Sequence, residues 1–217
     1  MSVTPLRRAE LGTRPAGDEI DLALAGRGAP PRRELITYAA FAAIACSIAI
    51  ASLVAAPGRA GLLGGALGLL MFAVAVADAR AFIIPDKLTI AAFVLALTNA
   101  ANEGLASMPE NIAVAALRGL VLALAFFALR EIYLRLRQRH GIGLGDVKLA
   151  AVAGAWLDWT LIPVAIEIAA LTALFFYIGS RLVLRRPICA AAKLPFGLFF
   201  APTIWFCWLL NAIFFEF

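Results

Sequence analysis

Apolar residues along this chain come in long blocks, and polar residues mark the gaps between them. Runs of Ala, Leu, Ile, Val and Phe this long lack the strict alternation of a membrane barrel strand. In lipid every backbone polar group must be satisfied internally, so the blocks predict membrane-crossing helices. A span needs about 20 mostly apolar residues. On that measure the chain divides into about seven spans (6–7). The first covers roughly 35–56 and stops at Pro57-Gly58, a turn signal. The second starts near Leu62 and continues through Asp78, and the third starts near Asp86 and fades between Asn99 and Glu103. The fourth begins near Asn111 and ends in the basic stretch 135–140. The fifth opens on a glycine-rich segment and reaches Trp156 to Trp159. The sixth covers about 161–184 and the seventh about 194–215.

Composition sharpens this picture. Hydrophobic residues make up 63% of the 217 positions, and mean hydropathy is +0.92, which excludes an ordinary soluble domain. The fold expected is an all-α, polytopic transmembrane helical bundle over residues 35–217. Residues 1–34 are polar and rich in Gly, Pro and Arg, and are expected to form a disordered cytoplasmic tail. The tail is too long and too mixed in charge to be a cleavable signal peptide. The net charge of +5 sits in the tail and the loops, where it sets topology and does not point to nucleic acid. If the N-terminus is cytoplasmic, 17 of the 19 Lys and Arg residues fall on the cytoplasmic side, Arg59 and Arg118 being the exceptions. The same assignment brings Asp78 and Asp146 to one face.

Those two acids carry the candidate chemistry. Asp146 closes the stretch Gly141-Ile142-Gly143-Leu144-Gly145-Asp146-Val147-Lys148 and opens the fifth run. Asp78 lies near the end of the second run, ahead of Pro85-Asp86-Lys87. An ionisable residue at such a boundary is costly and marks function by default. Two carboxylates on separate helices at one face make a candidate aspartyl protease dyad. Glycines lack Cβ, so a substrate backbone could approach closely beside Asp146. Each acid also has a plainer role open to it: Asp146 as a cap of the fifth helix, and Asp78 as a snorkelling acid paired with Arg80. Asp86 follows Pro85 and reads as an N-cap of the third helix or a motif residue.

The motif Gly143-Leu144-Gly145-Asp146, followed by Val147-Lys148-Leu149, resembles the Gly-x-Gly-Asp motif of the type IV prepilin peptidases. Asp78 with Pro85-Asp86-Lys87-Leu88-Thr89 resembles that family's first aspartate motif. Lys193-Leu194-Pro195-Phe196-Gly197 resembles the Pro-Phe-Gly segment before its last helix. The resemblance implies an aspartic endopeptidase of the bacterial inner membrane that removes the basic leader from type IV prepilin-like, pseudopilin or Flp-type precursors. Asp78 and Asp146 would be catalytic. Gly143, Gly145, Pro85, Asp86, Lys148, Pro195 and Gly197 would be supporting motif residues. Larger members carry an N-terminal zinc-binding segment associated with methylation. Its cysteines are absent here, so that activity is not expected.

Peptide hydrolysis by such a pair needs one acid and one base with a water between them. Two close carboxylates cannot both ionise easily and share a proton. No metal or organic cofactor is required. Lys87 and Lys148 could tune the pair, bind an acidic residue of the substrate, or anchor the loops. Glu167 lies inside the sixth run after Pro163, either paired with Arg118 or marking a separate polar site. The fifth run is short, so it either continues into Leu161-Ile162 or starts below the surface. Its small residues Ala150, Ala153 and Gly154 suit close helix packing.

Other chemistry is weaker. Cys46, Cys189 and Cys207 are far apart and form no metal pattern. His140 is the sole histidine, with no nucleophile placed beside it. Two rival readings remain at this stage. One is a protease of the presenilin or signal-peptide-peptidase kind. There the first acid usually follows a tyrosine, whereas Ala77 precedes Asp78 here. The other is a small ion- or proton-coupled transporter, for which internal repeats would be expected; none are seen in the sequence, and the two acids sit at one face and not at the midplane.

Overall fold

A computed structural model describes residues 32–102, 107–138, 141–183 and 195–214. Most of the expected tail, together with Cys189, His140 and Lys193, lies outside the described residues. The described residues form seven helices: α1 (Arg32–Ala55), α2 (Arg59–Ala81), α3 (Asp86–Asn102), α4 (Met108–Arg137), α5 (Leu144–Trp156), α6 (Leu161–Val183) and α7 (Phe196–Phe214). The chain divides into two units within α1, at Ala42 and Ala43. The described part of the first unit is the exposed opening of α1. The second unit, Ala43–Phe217, holds the helical bundle.

Local chemistry explains the breaks. Gly58 ends the first turn signal with φ of 82°, a left-handed conformation suited to glycine. Phe82 closes α2 at φ 53°, and its N–H donates to the Asp78 carbonyl at 2.9 Å. Proline at 85 disfavours helix for the residue before it, so Ile84 lies in the connector between α2 and α3. The Pro85 carbonyl then accepts from the N–H groups of Leu88 and Thr89 and starts α3. Asp86 is therefore the first helical residue and not the residue preceding the helix, a one-position shift from the expected cap.

Helices α1, α2, α4, α6 and α7 are long and apolar enough to cross a membrane. Helix α3 has 17 residues and α5 has 13, less than the roughly 20 a span needs. The α5 helix stops at Trp156 and does not run on into Leu161. An extended Leu157 and a short turn separate it from α6.

The short helix is also the most enclosed. It packs against α3, α4 and α7, and Leu149, Ala150, Val152, Ala153, Gly154, Ala155 and Trp156 are all buried. Small residues make this approach possible. A Cβ on Gly154 would stand 2.6 Å from the Arg118 carbonyl oxygen and 3.0 Å from Gly119 Cα, both backbone atoms of α4. On the other side of the bundle α2 meets α7. A Cβ on Gly64 would enter the Trp208 ring at 1.8 Å, and the Trp205 indole N–H donates to Ser52 Oγ at 3.0 Å. Phe200 of α7 stacks on Phe126 of α4, with ring centroids 5.8 Å apart, and on Phe196 one turn earlier in its own helix at 5.4 Å.

Arg118 pairs with Asp158, in the turn after α5, and not with Glu167. Glu167 lies on an exposed face of α6. Cys207 is buried and Cys46 is exposed.

The glycine contacts separate two kinds of helix glycine. Gly154→Ala sets a methyl against backbone and is expected to cost about 1–3 kcal/mol as an overpacking change. At Gly179 no atom lies within 4 Å of the added Cβ, and alanine there is expected to be neutral or to stabilise by up to about 1 kcal/mol through helix propensity. Thermal unfolding of the two variants in detergent checks the contrast.

Candidate active site

Three helix N-termini and one C-terminus converge at one end of the bundle. They are the starts of α3, α5 and α7 and the end of α2. Asp78 sits in the last turn of α2 and is only 5% exposed. Burying a carboxylate is costly unless it is hydrogen-bonded. Its Oδ2 accepts the Leu198 backbone N–H at 2.9 Å, and the Gly197 N–H also faces it. Both N–H groups belong to the first turn of α7, where donors have no partner within the helix. Asp78 thus caps a helix 120 positions further along the chain. The positive end of the α7 dipole adds to the attraction.

Asp146 occupies the first turn of α5. Its Oδ2 accepts the Gly143 N–H at 3.0 Å, the backward half of a capping box. The capping role open to Asp146 from the sequence is therefore present in the structure. It does not remove the acid from the site, because Gly145, directly before Asp146, and Gly197, beside Asp78, both lie against the Ile84 side chain. The two acids come from different helices, and each is oriented by a backbone N–H through Oδ2.

The glycines around them serve a neighbour within the chain. A Cβ on Gly145 would stand 3.0 Å from Ile84 Cβ and 3.1 Å from its Cδ1 and Cγ1. A Cβ on Gly197 would stand 2.8 Å from Ile84 Cδ1 and 2.9 Å from Asp78 Oδ2. The buried Ile84 side chain thus fills the space that both glycines leave. Gly143 has an ordinary extended backbone at φ −76°, and its nearest obstacle would be Asp146 Oδ2 at 3.3 Å. Pro195 directly precedes α7.

Lys148 points to neither acid of the pair. Its Nζ bonds Asp86 Oδ1 at 2.5 Å, tying the start of α3 to the first turns of α5. Both side chains are substantially exposed, so the pair contributes about 0–1 kcal/mol. Asp86 has a second local role, since its carbonyl accepts the Thr89 hydroxyl at 3.0 Å.

A family model described as the type IV leader peptidase family matches residues 65–178. The chain belongs to that family. The match contains Asp78, Pro85, Asp86, Gly143, Gly145, Asp146 and Lys148 and ends before Pro195 and Gly197. Among its relatives is the prepilin leader peptidase/N-methyltransferase of Escherichia coli K12, 33% identical over 120 residues, or 55% of this chain and 52% of the relative. The protein of that name from Aeromonas hydrophila is 29% identical over 175 residues, or 81% and 56%. The leader peptidase HopD of Salmonella typhimurium is 34% identical over 121 residues, covering 55% of this chain and 74% of HopD. The chain therefore spans about half the length of the first two relatives. No solved structure matches it.

Family membership and the five long apolar helices make this leader peptidase family member a multi-pass membrane protein. Ile84 stands out in the sequence only by its place before Pro85 and Asp86. The signal for it was indirect: an apolar residue before a proline, in the connector after an acid-bearing span. Lys148 and Asp86 each stand out in the sequence, but their pairing does not.

The tertiary cap can be separated from chemistry at the same side chain. Asp78→Ala removes the acceptor from Leu198 and is expected to destabilise this leader peptidase family member by about 0.5–2 kcal/mol, the range of a lost N-cap. Asp78→Asn keeps an acceptor oxygen and is expected to unfold close to the parent. Thermal unfolding in detergent, with hydrogen exchange at Gly197 and Leu198, distinguishes them.

Proposed function

We propose that Asp78 and Asp146 are the catalytic pair of a membrane-embedded aspartic endopeptidase. It removes the short basic leader from type IV prepilin-like precursors, pseudopilins and Flp-type subunits included. The observation that carries this is that two acids from separate helices, each held through Oδ2 by a backbone N–H, flank one buried side chain, Ile84, at one end of the bundle. The attacking water is held between the two carboxyl groups. The pair shares one proton. The ionised partner takes a proton from the water as its oxygen bonds to the scissile carbonyl carbon. The protonated partner gives its proton to the carbonyl oxygen. Collapse of the tetrahedral intermediate breaks the C–N bond, and a proton passes to the leaving amine. Which acid starts ionised belongs to the pair as a unit.

The names of the relatives, prepilin leader peptidase and leader peptidase, support the substrate class. The distribution of Lys and Arg supports a cytoplasmic N-terminus in the inner membrane, with the acid pair at the cytoplasmic face. A precursor with a basic leader and a hydrophobic helix suits that position. Its leader stays in the cytoplasm while its helix lies in the bilayer beside the pair. Gly143, Gly145, Pro85, Asp86, Lys148, Pro195 and Gly197 support the acids without taking part in proton transfer.

The test is cleavage of a co-expressed type IV or Flp-type prepilin, read by gel shift, with membrane abundance measured for each variant. Asp78→Asn and Asp146→Asn are each expected to lose processing by at least about 1,000-fold, in line with removal of a reacting group from a catalytic unit. Asp86→Asn is expected to stay within a few-fold of the parent, since it breaks only an exposed ion pair. Parent-like processing by either of the first two variants would defeat the mechanism.

A further inference from the structure

We infer that Ile84 is the positioning residue of the acid pair, a wedge whose size sets how the starts of α5 and α7 stand relative to each other. The inference rests on the peptidase reading above and adds a residue that does no chemistry itself. Three observations converge on it. The side chain is buried, whereas its neighbours Phe82 and Ile83 in the same connector are exposed. It fits against the missing Cβ of Gly145, directly before Asp146, and of Gly197, in the turn that Asp78 caps. And it hangs from the connector that begins four residues after Asp78 and ends at Pro85.

The wedge is stiff for a chemical reason. Isoleucine is branched at Cβ, which restricts χ1, and proline at 85 restricts the backbone of Ile84 itself. A rigid side chain between two helix starts acts as a spacer of fixed length. Its Cδ1 faces Gly197, while Cβ, Cγ1 and Cδ1 all face Gly145. Shortening it lets α5 and α7 close on each other, and lengthening it drives them apart. Either change moves Asp146 relative to Asp78, whose carboxylate is fixed to α7. A misplacement of about 1 Å in such a site costs on the order of 100-fold in rate.

The two glycines make distinct predictions. In Gly145→Ala the three atoms nearest the new methyl all belong to Ile84. Trimming the wedge removes the Cδ1 and Cγ1 contacts and leaves only Cβ. In Gly197→Ala the methyl also meets Asp78 Oδ2 at 2.9 Å and Cγ at 3.1 Å, which trimming Ile84 does not relieve.

The experiment combines Ile84→Val, Ile84→Ala, Gly145→Ala, Gly197→Ala and the double variants I84A/G145A and I84A/G197A. Prepilin processing per folded molecule and thermal unfolding in detergent are both measured. Ile84→Ala is expected to lose processing on the order of 100-fold, with Ile84→Val retaining most of it. I84A/G145A is expected to process faster than the product of the two single losses, with a smaller gain in I84A/G197A, where the two Asp78 contacts remain. Ile84→Ala at the parental rate per folded molecule would reduce Ile84 to packing and overturn the inference. Independent effects of Ile84 and Gly145 in both measurements would overturn it equally. A parent that cleaves no prepilin would instead sink the peptidase reading. The unfolding cycle would then decide by itself whether the wedge exists.

Discussion

The site end of the molecule depends on one hydrogen bond between distant parts of the chain: the Leu198 N–H to the Asp78 carboxylate. The first turn of a helix carries N–H groups with no partner, and in a protein interior these are costly to leave bare. A buried carboxylate has the opposite need. Placing one against the other removes both penalties and docks the last described helix on the second. The same requirement recurs at α5, where Asp146 turns back on Gly143. Both acids are therefore structural acceptors as well as candidate reacting groups. An acid oriented in this way loses little freedom when a water or a peptide arrives, which is how preorganisation favours catalysis.

Glycine supplies the second constraint. At Gly154 and Gly64 the absent Cβ lets helices touch, backbone to backbone in one case and backbone to indole in the other. At Gly145 and Gly197 it accommodates Ile84. A motif glycine beside an active acid invites the reading that a substrate needs the room. Here the room is already taken by an isoleucine of the same chain. Glycine motif and connector are then two halves of one fitted contact, although some sixty positions separate them (84 and 145).

The sequence carried much of this. Block length and the Pro and Gly breaks located the seven helices, because hydrophobic run length and turn chemistry are local properties. Asp78 and Asp146 stood out because acids at the edge of apolar runs are expensive. Tertiary partners were not legible. Nothing near Asp78 indicates that it caps the helix starting at Phe196. Arg118 had an acid candidate in Glu167, but the turn after the short α5 brings Asp158 to it instead. Lys148 and Asp86 were each noticed, yet their pairing needs the α3–α5 contact, which no periodicity encodes. One-dimensional patterns report which face of a helix is apolar. They do not report which helix end meets which.

The brevity of α5 has a consequence for the surrounding lipid. At 1.5 Å per residue its 13 residues measure about 20 Å, while the 30 residues of the adjacent α4 measure about 45 Å. No single hydrocarbon thickness matches both. α5 itself is enclosed by protein, so headgroups and water are expected to follow the exposed turn after it inward, where the bundle stops short of the full length of α4. Arg118 and Asp158 sit at that turn. That water would hydrate an ion pair at a depth where the flanking helices still face acyl chains. A membrane of different thickness would then act on the packing around α5 from the end opposite the acids.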